Sequence, residues 1–481
     1  MEVNPLSNVD LKVLHIETQK KEEYIKALGY SLVVMYECHW RDLLRLDPDI
    51  SAFVLGLETR TMTENVSMTE PQIIQALKED KFFGVIECDI EVPDNLKSKF
   101  SEMQPIYKNV ELTKDCLSEH MKAIAKESGH LKGKLKMLIA SMCGSKILLL
   151  TSLAKWYLEQ GLQITRVYEI CQFKPVKCFE AFGNSVSEAR RAGDIDPSQA
   201  LLADTSKLIG NSVYGKMITN KEKHRDISYT DSERKASLKV KGHRFISMEE
   251  PCSGFFEMTQ QKQKVMLDTP VVLGFAVLQY AKLRMLQFYY DCIDRFICRS
   301  NYQYVEMDTD SAYMALAGDL KSIIKPHLRE QFFKEYGNWF PREYCTEHNE
   351  DFIEKQVKHK PWTMRKCCEL QYKHDRRTPG LFKEEFVGDG IVALNSKTYY
   401  CWGDNSSKYS TKGISKKLNA TTKEQFLRVL QTKDPICGVN KGFVKKDNDI
   451  YTYSQLRTGL TYFYAKRKVC EDGVSTLPIE I

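Results

Sequence analysis

An α+β fold is what the sequence predicts, on three observations. Short apolar runs bounded by Gly and Pro read as strands: residues 82–92, stopping at Pro93, and residues 146–151. Longer stretches with helical spacing lie between and after them, at residues 201–217 and 271–292. Two further short strands flank Asp308, so strands and helices are mixed in one sheet-containing body.

Taken in order, residues 18–28 read as a helix closed by Gly29, and residues 31–35 as an apolar strand ending in Glu37-Cys38-His39-Trp40. That is one αβ unit without visible partners. The strand at residues 82–92 follows, and the strand at 146–151 feeds an amphipathic helix, residues 153–160, closed by Gly161. A polar, charged stretch at residues 185–196, the helix at 201–217 and an insert to about residue 265 form a helical excursion from the sheet. The long helix at 271–292 and the strands around Asp308 return the chain to the sheet, and a basic, Tyr-rich third completes it. No internal repeat or low-complexity segment interrupts this order.

A chain of 481 residues, 42% hydrophobic and 11% aromatic, can bury a large core. It has no run of eighteen apolar residues, and Met1-Glu2-Val3-Asn4-Pro5 lacks the layout of a secretory signal, so neither membrane nor export is expected. Fifteen cysteines, single apart from Cys367-Cys368, suit the reduced thiols of an intracellular protein, with nucleus and cytoplasm not distinguished. Net charge is only +6, but Lys and Arg cluster at residues 412–417, 441–446 and 466–468, which permits a polyanionic partner.

The strongest constellation of reactive groups is Asp308-Thr309-Asp310-Ser311, flanked by strand-like residues on both sides. Side chains two apart on a strand share a face, so both carboxylates can converge on one cation, and hard oxygen ligands suit Mg²⁺. Taken alone, a hairpin turn explains those four residues better. A second motif changes the balance. In the segment Lys207 to Lys216, the residues Lys207, Asn211, Tyr214 and Gly215 follow i, i+4, i+7, i+8 spacing, which places an ammonium, an amide, a phenol ring and a gap on one helical face. Such a face can grip a nucleotide: a point charge for a triphosphate, a ring beneath the sugar and base, and room for close approach. Third, Lys397 and Tyr399 alternate on a probable strand, where they can meet a nucleic-acid backbone.

In their order along the chain these motifs resemble family B DNA polymerases: K-x-x-x-N-S-x-Y-G at Lys207 to Gly215, D-T-D-S at Asp308 to Ser311, K-x-Y at Lys397 to Tyr399. The chain is most similar to the protein-primed branch found in large self-synthesising DNA transposons and related viruses and plasmids. The likeness spans nearly everything from about residue 80, with support from Ala189-Arg190-Arg191-Ala-Gly-Asp194 and Tyr464-Ala-Lys-Arg-Lys468. It implies a polymerase right hand with a mostly antiparallel palm sheet, helical fingers and a partial thumb. The implied division is a remnant αβ unit at 1–75, palm at 76–184, fingers at 185–265, palm again at 266–400 and an incomplete thumb at 401–481. It also implies that Asp308 and Asp310 ligate two magnesium ions, that Lys207 and Asn211 contact the triphosphate, that Tyr214 and Gly215 line the nucleotide pocket, and that Lys397 and Tyr399 touch the primer. The implied partners are a DNA primer-template, deoxynucleoside triphosphates and a terminal protein primer. Arg190 or Arg191 is a second candidate grip on phosphate, the alternative being an exposed helical charge pair. Residues 18–40 resemble the closing helix and strand of a very-short-patch-repair-type endonuclease, without the part that would hold nuclease carboxylates.

One departure stands out. Family B polymerases take a third carboxylate from a D-x-x-S-L-Y-P motif, which the sequence lacks. Asp89, in Cys88-Asp89-Ile90-Glu91, is the nearest substitute, but truncation is the favoured explanation. Asp89 and Glu91 also mimic a proofreading exonuclease pair, for which there is no room for the rest of the domain. Two alternative functions therefore stand beside DNA synthesis: an inactive DNA-binding remnant and, last, a metal-dependent nuclease. Cys345-Thr-Glu-His348 with Cys367, Cys368 or His374 has only half of a zinc pattern, so no zinc is assigned and these are expected to be scattered thiols.

Overall fold

The computed structural model describes residues 69–127, 135–177, 179–446 and 449–479; the αβ unit expected at 18–40 lies outside them. The first helix, α1 (Glu70–Lys78), begins at a Thr69 capping box with Pro71 in its first turn. Strand β1 (Gly84–Glu91) follows. Its alternation puts Ile86, Cys88 and Ile90 on a fully buried face and Glu87, Asp89 and Glu91 on the other. Strand β2 (Ile106–Leu112), helix α2 (Glu119–Glu127) and strand β3 (Leu135–Ser141) come next, and β2 pairs with β3. Strands β4 (Cys143–Leu150) and β5 (Gln163–Gln172) flank β1 in an antiparallel sheet. Between them α3 (Thr151–Glu159) buries Leu153, Ala154, Trp156 and Tyr157, and Gly161 at φ +94° ends it where a side chain would be strained.

Helices α4 (Glu180–Ile195) and α5 (Ala200–Met217) pack side by side. The excursion expected to be helical then turns to strand: β6 (Arg225–Thr230), helix α6 (Glu233–Val240), β7 (Phe245–Cys252) and β8 (Phe255–Gln261) form a small sheet with order β6-β8-β7. Ser253 and Gly254, the latter at φ +74°, close a two-residue hairpin between β7 and β8, the local chemistry that overrides a helical reading.

Helix α7 (Val271–Gln287) runs into a π-helical turn at Phe288–Asp294 that buries Phe288, Tyr289, Tyr290, Cys292 and Ile293. The combined segment Val271–Asp294 is the one helix among the described residues long and apolar enough to cross a membrane, with mean hydropathy 1.2. Its polar side chains are tied into the protein: Gln279 accepts from Leu150 N–H at 3.2 Å, Trp156 Nε1–H donates to Asp291 at 2.9 Å, and Arg284 Nε–H donates to the Gly380 carbonyl at 2.8 Å.

Strands β9 (Tyr302–Asp308) and β10 (Ser311–Leu316) form a hairpin. Helices α8 (Arg329–Trp339), α9 (Asn349–Val357) and α10 (Lys366–Asp375) follow, packed around Phe332, Phe333, Tyr336 and Phe352. Strands β11 (Gly390–Asn395), β12 (Thr398–Trp402) and β13 (Ser407–Ser410) make a third antiparallel sheet. Its Val392 and Leu394 share a core with Phe426 and Val429 of α11 (Lys423–Thr432), with α2 and with the chain around Leu460. The long ladder β14 (Ile436–Lys446) with β15 (Asp449–Leu460) and a short final pair complete an α+β fold in which, among the described residues, every strand pairing is antiparallel.

Candidate active site

Two hairpin turns meet at the candidate site. The first joins β9 to β10: Asp308 pairs with Ser311, which leaves Thr309 and Asp310 as a two-residue loop. Thr309 has φ +54°, and Asp310 N–H donates to the Asp308 carbonyl across 2.6 Å, a γ-turn. The expected reason for convergence of the two aspartates is thereby corrected. Asp310 does not follow Asp308 along a strand; it stands in the turn, and the turn sets its direction. The side chain that shares the strand face of Asp308 is Glu306.

The second turn joins β11 to β12, with Asn395 paired to Thr398 and Ser396-Lys397 as the loop. Lys397 has φ +63°. The expectation that Lys397 and Tyr399 alternate on a strand is corrected in the same way, because Lys397 is in the turn and Tyr399 on β12. A positive φ at a non-glycine residue costs energy and persists where surrounding contacts enforce it. Both turns have one, and at Lys397 the enforcing contacts run to the other hairpin.

Those contacts are specific. Lys397 Nζ lies 3.2 Å from Asp308 Oδ1, and Lys397 N–H donates to Glu306 Oε1 at 2.7 Å. Tyr313 O–H donates to Tyr399 Oη at 2.7 Å, with ring centroids 4.6 Å apart. Glu306 is 8% exposed, and its second oxygen, Oε2, has no protein partner. Burial pushes its carboxyl up to about 7; the Lys397 N–H pulls the other way and the Asp308 charge adds to the rise. Sequence reading missed Glu306, although its place two residues before Asp308 on an apolar strand was a usable signal.

The hairpin is held from below. Tyr304 N–H donates to Glu102 Oε1 at 2.9 Å, and Glu102 Oε2 takes the Tyr289 hydroxyl and the Arg299 guanidinium, the latter at 2.6 Å. Tyr107 O–H meets Met307 Sδ at 3.9 Å, while Lys282 Nζ stands 4.8 Å over the Tyr107 ring. Burial pulls the Lys282 ammonium down to about 7.

The helical stripe behaves differently. Lys207, Asn211 and Gly215 on α5 are exposed and Tyr214 is partly buried. Among the described residues no hydrogen bond or ion pair joins this stripe to the hairpin. A Cβ added at Gly215 would meet no atom within 4 Å, so packing does not explain a glycine there. A glycine inside an exposed helix costs about 1 kcal/mol relative to alanine.

Arg191 is not free for phosphate. It donates to the His374 carbonyl and Thr378 Oγ1, both at 3.2 Å, and pairs with Glu188 at 2.7 Å. Asp89 is engaged as well: Lys146 N–H donates to Oδ1 at 2.8 Å and Tyr168 O–H to Oδ2 at 2.9 Å.

The expectation of scattered thiols is overturned at one place. Cys345, His348, Cys367 and Cys368 present four ligand atoms that all lie within 4.8 Å of one another. The sequence pattern hid this because the second pair is an adjacent Cys-Cys at a helix start and not a spaced C-x-x-C. His374, the other candidate, turns instead to Asp375 at 3.4 Å.

Comparison with family models, with curated proteins and with solved structures finds no match to this chain.

Proposed function

We propose that this chain carries the nucleotidyl-transfer site of a template-directed DNA polymerase of the family B type, adding deoxynucleotides to a primer hydroxyl. The observation that carries this reading is the meeting of the two turns: Lys397 reaches Asp308 at 3.2 Å from a motif 89 residues later in the chain (397 − 308 = 89). A structural hairpin needs neither the paired carboxylates nor a lysine from a separate sheet beside them.

The donor set fits magnesium, which is held by one or two carboxylates and completes its shell with water and substrate phosphates. Asp308 is partly exposed, Asp310 is exposed at the turn, and the unpartnered Glu306 Oε2 lies behind them. Bound there, magnesium would lower the barrier by activating the primer hydroxyl and neutralising the departing pyrophosphate. The protein's own part is positioning. The Lys397 ammonium neutralises charge beside Asp308 and meets the primer backbone, and the Tyr313–Tyr399 bond fixes the two hairpins relative to each other. Lys207 and Asn211 offer a cation and an amide to a triphosphate, with Tyr214 and Gly215 beneath the sugar and base. The basic clusters of the last third supply salt-dependent, sequence-independent contact to the duplex.

A second reading, an inactive DNA-binding remnant, is favoured by one observation. Asp89, the nearest stand-in for the third carboxylate of the resemblance, is committed to Lys146 and Tyr168. Primer extension by this chain and its Asp308→Asn variant separates the two readings, since a remnant binds primer-template and incorporates nothing.

A further inference from the structure

We propose that Cys345, His348, Cys367 and Cys368 form a structural zinc site. The ligands come from two places. Cys345 caps the 3₁₀ turn Thr346–His348, so a C-x-x-H loop brings the sulfur and His348 Nδ1 to 3.0 Å. Cys367 and Cys368 open α10, and their sulfurs each lie 3.6 Å from the same Nδ1. Zinc with bonds of about 2.3 Å to sulfur and about 2.0 Å to nitrogen has tetrahedral edges of roughly 3.5–3.8 Å, so these separations fit a shared ion with small adjustment. Three thiolates and one imidazole match the Cys₃His set of closed structural sites, in contrast to the oxygen donors around Asp308.

The N-terminus of α10 places its positive end at Cys367 and Cys368. Cys368 is fully buried. Beside the cluster, Tyr344, Phe352 and Trp362 pack with ring centroids 4.7 and 5.3 Å apart, and Trp362 Nε1–H donates to the Glu343 carbonyl at 3.0 Å.

The site has something to hold. At its far end, α10 leads into the segment that grips α4: Arg377 Nε–H donates to Asp194 at 2.6 Å, and Arg191 reaches the His374 carbonyl and Thr378. An ion at the start of α10 would fix the helix whose end anchors the nucleotide-facing helical pair, and it would do so without taking part in chemistry at Asp308.

The test is metal analysis of the purified full chain, together with Cys345→Ser, Cys368→Ser, His348→Cys, Asp308→Asn and the exposed-thiol controls Cys298→Ser and Cys437→Ser. We expect about one zinc per chain, as for a closed four-ligand site. The controls, Asp308→Asn and His348→Cys should keep it, while Cys345→Ser and Cys368→Ser lose it. Cobalt exchange of the wild-type chain should show thiolate charge-transfer and tetrahedral d–d bands, which decides the matter even if a serine variant fails to fold. Chelation should speed amide exchange in Glu180–Ile195 as well as in Lys366–Asp375. Iron in place of zinc, no metal above the level of Cys345→Ser, full retention in both serine variants, or cobalt without charge-transfer bands would each overturn the proposal. Loss of zinc with DNA synthesis unaltered would leave the polymerase reading standing, and the reverse would leave the zinc site standing.

Discussion

Replacing Asp375 tests how the helical insert between β10 and β11 is held. This carboxylate is 3% exposed and accepts from Arg342 N–H at 3.2 Å, Nε–H at 2.6 Å and Nη2–H at 3.1 Å and from Gln371 Nε2–H at 2.8 Å, with His374 Nδ1 3.4 Å away. Breaking a buried ion pair by removing one partner costs about 3–5 kcal/mol. The Arg342 side chain is 40% exposed, so its guanidinium can recover water, and the expected cost of Asp375→Ala falls to about 2–3 kcal/mol. Asp375 also ends α10, where a negative charge opposes the helix dipole unless a cation answers it. Burial by itself would raise this carboxyl, but the Arg342 side chain and N–H and the Gln371 amide outweigh it and hold the group below its usual range. The sign follows. With the folded value lowered, the stabilisation is present above the unfolded value near 3.9 and is lost as pH falls through it toward the folded value. Urea unfolding followed by intrinsic tryptophan fluorescence, to which Trp339 and Trp362 contribute, reads both effects. Asp375→Ala should lose about 2–3 kcal/mol at pH 7. Asp375→Asn should lose less and should flatten the acid limb of the stability curve. A cost below about 0.5 kcal/mol, within the range of ordinary surface substitutions, or an acid limb in Asp375→Asn identical to the parent's, would refute the reasoning.

Two further outcomes follow from the hairpins and the helix beneath them. Glu306→Ala removes the acceptor that holds the Lys397 turn and should cost about 1–2 kcal/mol in denaturant titration, whereas Glu306→Gln, which keeps an acceptor, should cost less; equal losses would show that the hydrogen bond to Lys397 N–H is idle. Lys282 is held near 7 by burial, so the unfolded chain binds more protons than the folded one between about pH 7 and 10, and stability should rise with pH across that window. Lys282→Met should abolish that rise in a pH series of thermal melts, and an unchanged slope would contradict the burial of this cation.

Much of the scaffold was legible because it rests on local patterns. The helix read at residues 201–217 is Ala200–Met217, and the strand ahead of Pro93 is Gly84–Glu91, whose alternation and terminal proline mark it locally. The sheet formed by Arg225–Thr230, Phe245–Cys252 and Phe255–Gln261 was missed inside an insert read as helical, although Ser253-Gly254 is a hairpin signal and Ile227 and Tyr229 alternate. At the candidate site the residue types were legible and their geometry was not. Alternation alone puts Asp310 and Lys397 on strands, while the structure puts each in a two-residue turn, because alternation gives no information about where a strand stops. Glu306 and the Cys345–His348–Cys367–Cys368 cluster depend on contacts across 91 and about 20 residues, which spacing rules for local motifs do not reach.

The most direct measurement of the central claim is extension of a labelled primer on a DNA template by this chain, with and without Asp308→Asn. Magnesium-dependent addition that follows the template, shown by the parent chain and abolished by Asp308→Asn, is what the account predicts. Primer-template binding without extension, or extension that Asp308→Asn leaves intact, would contradict it.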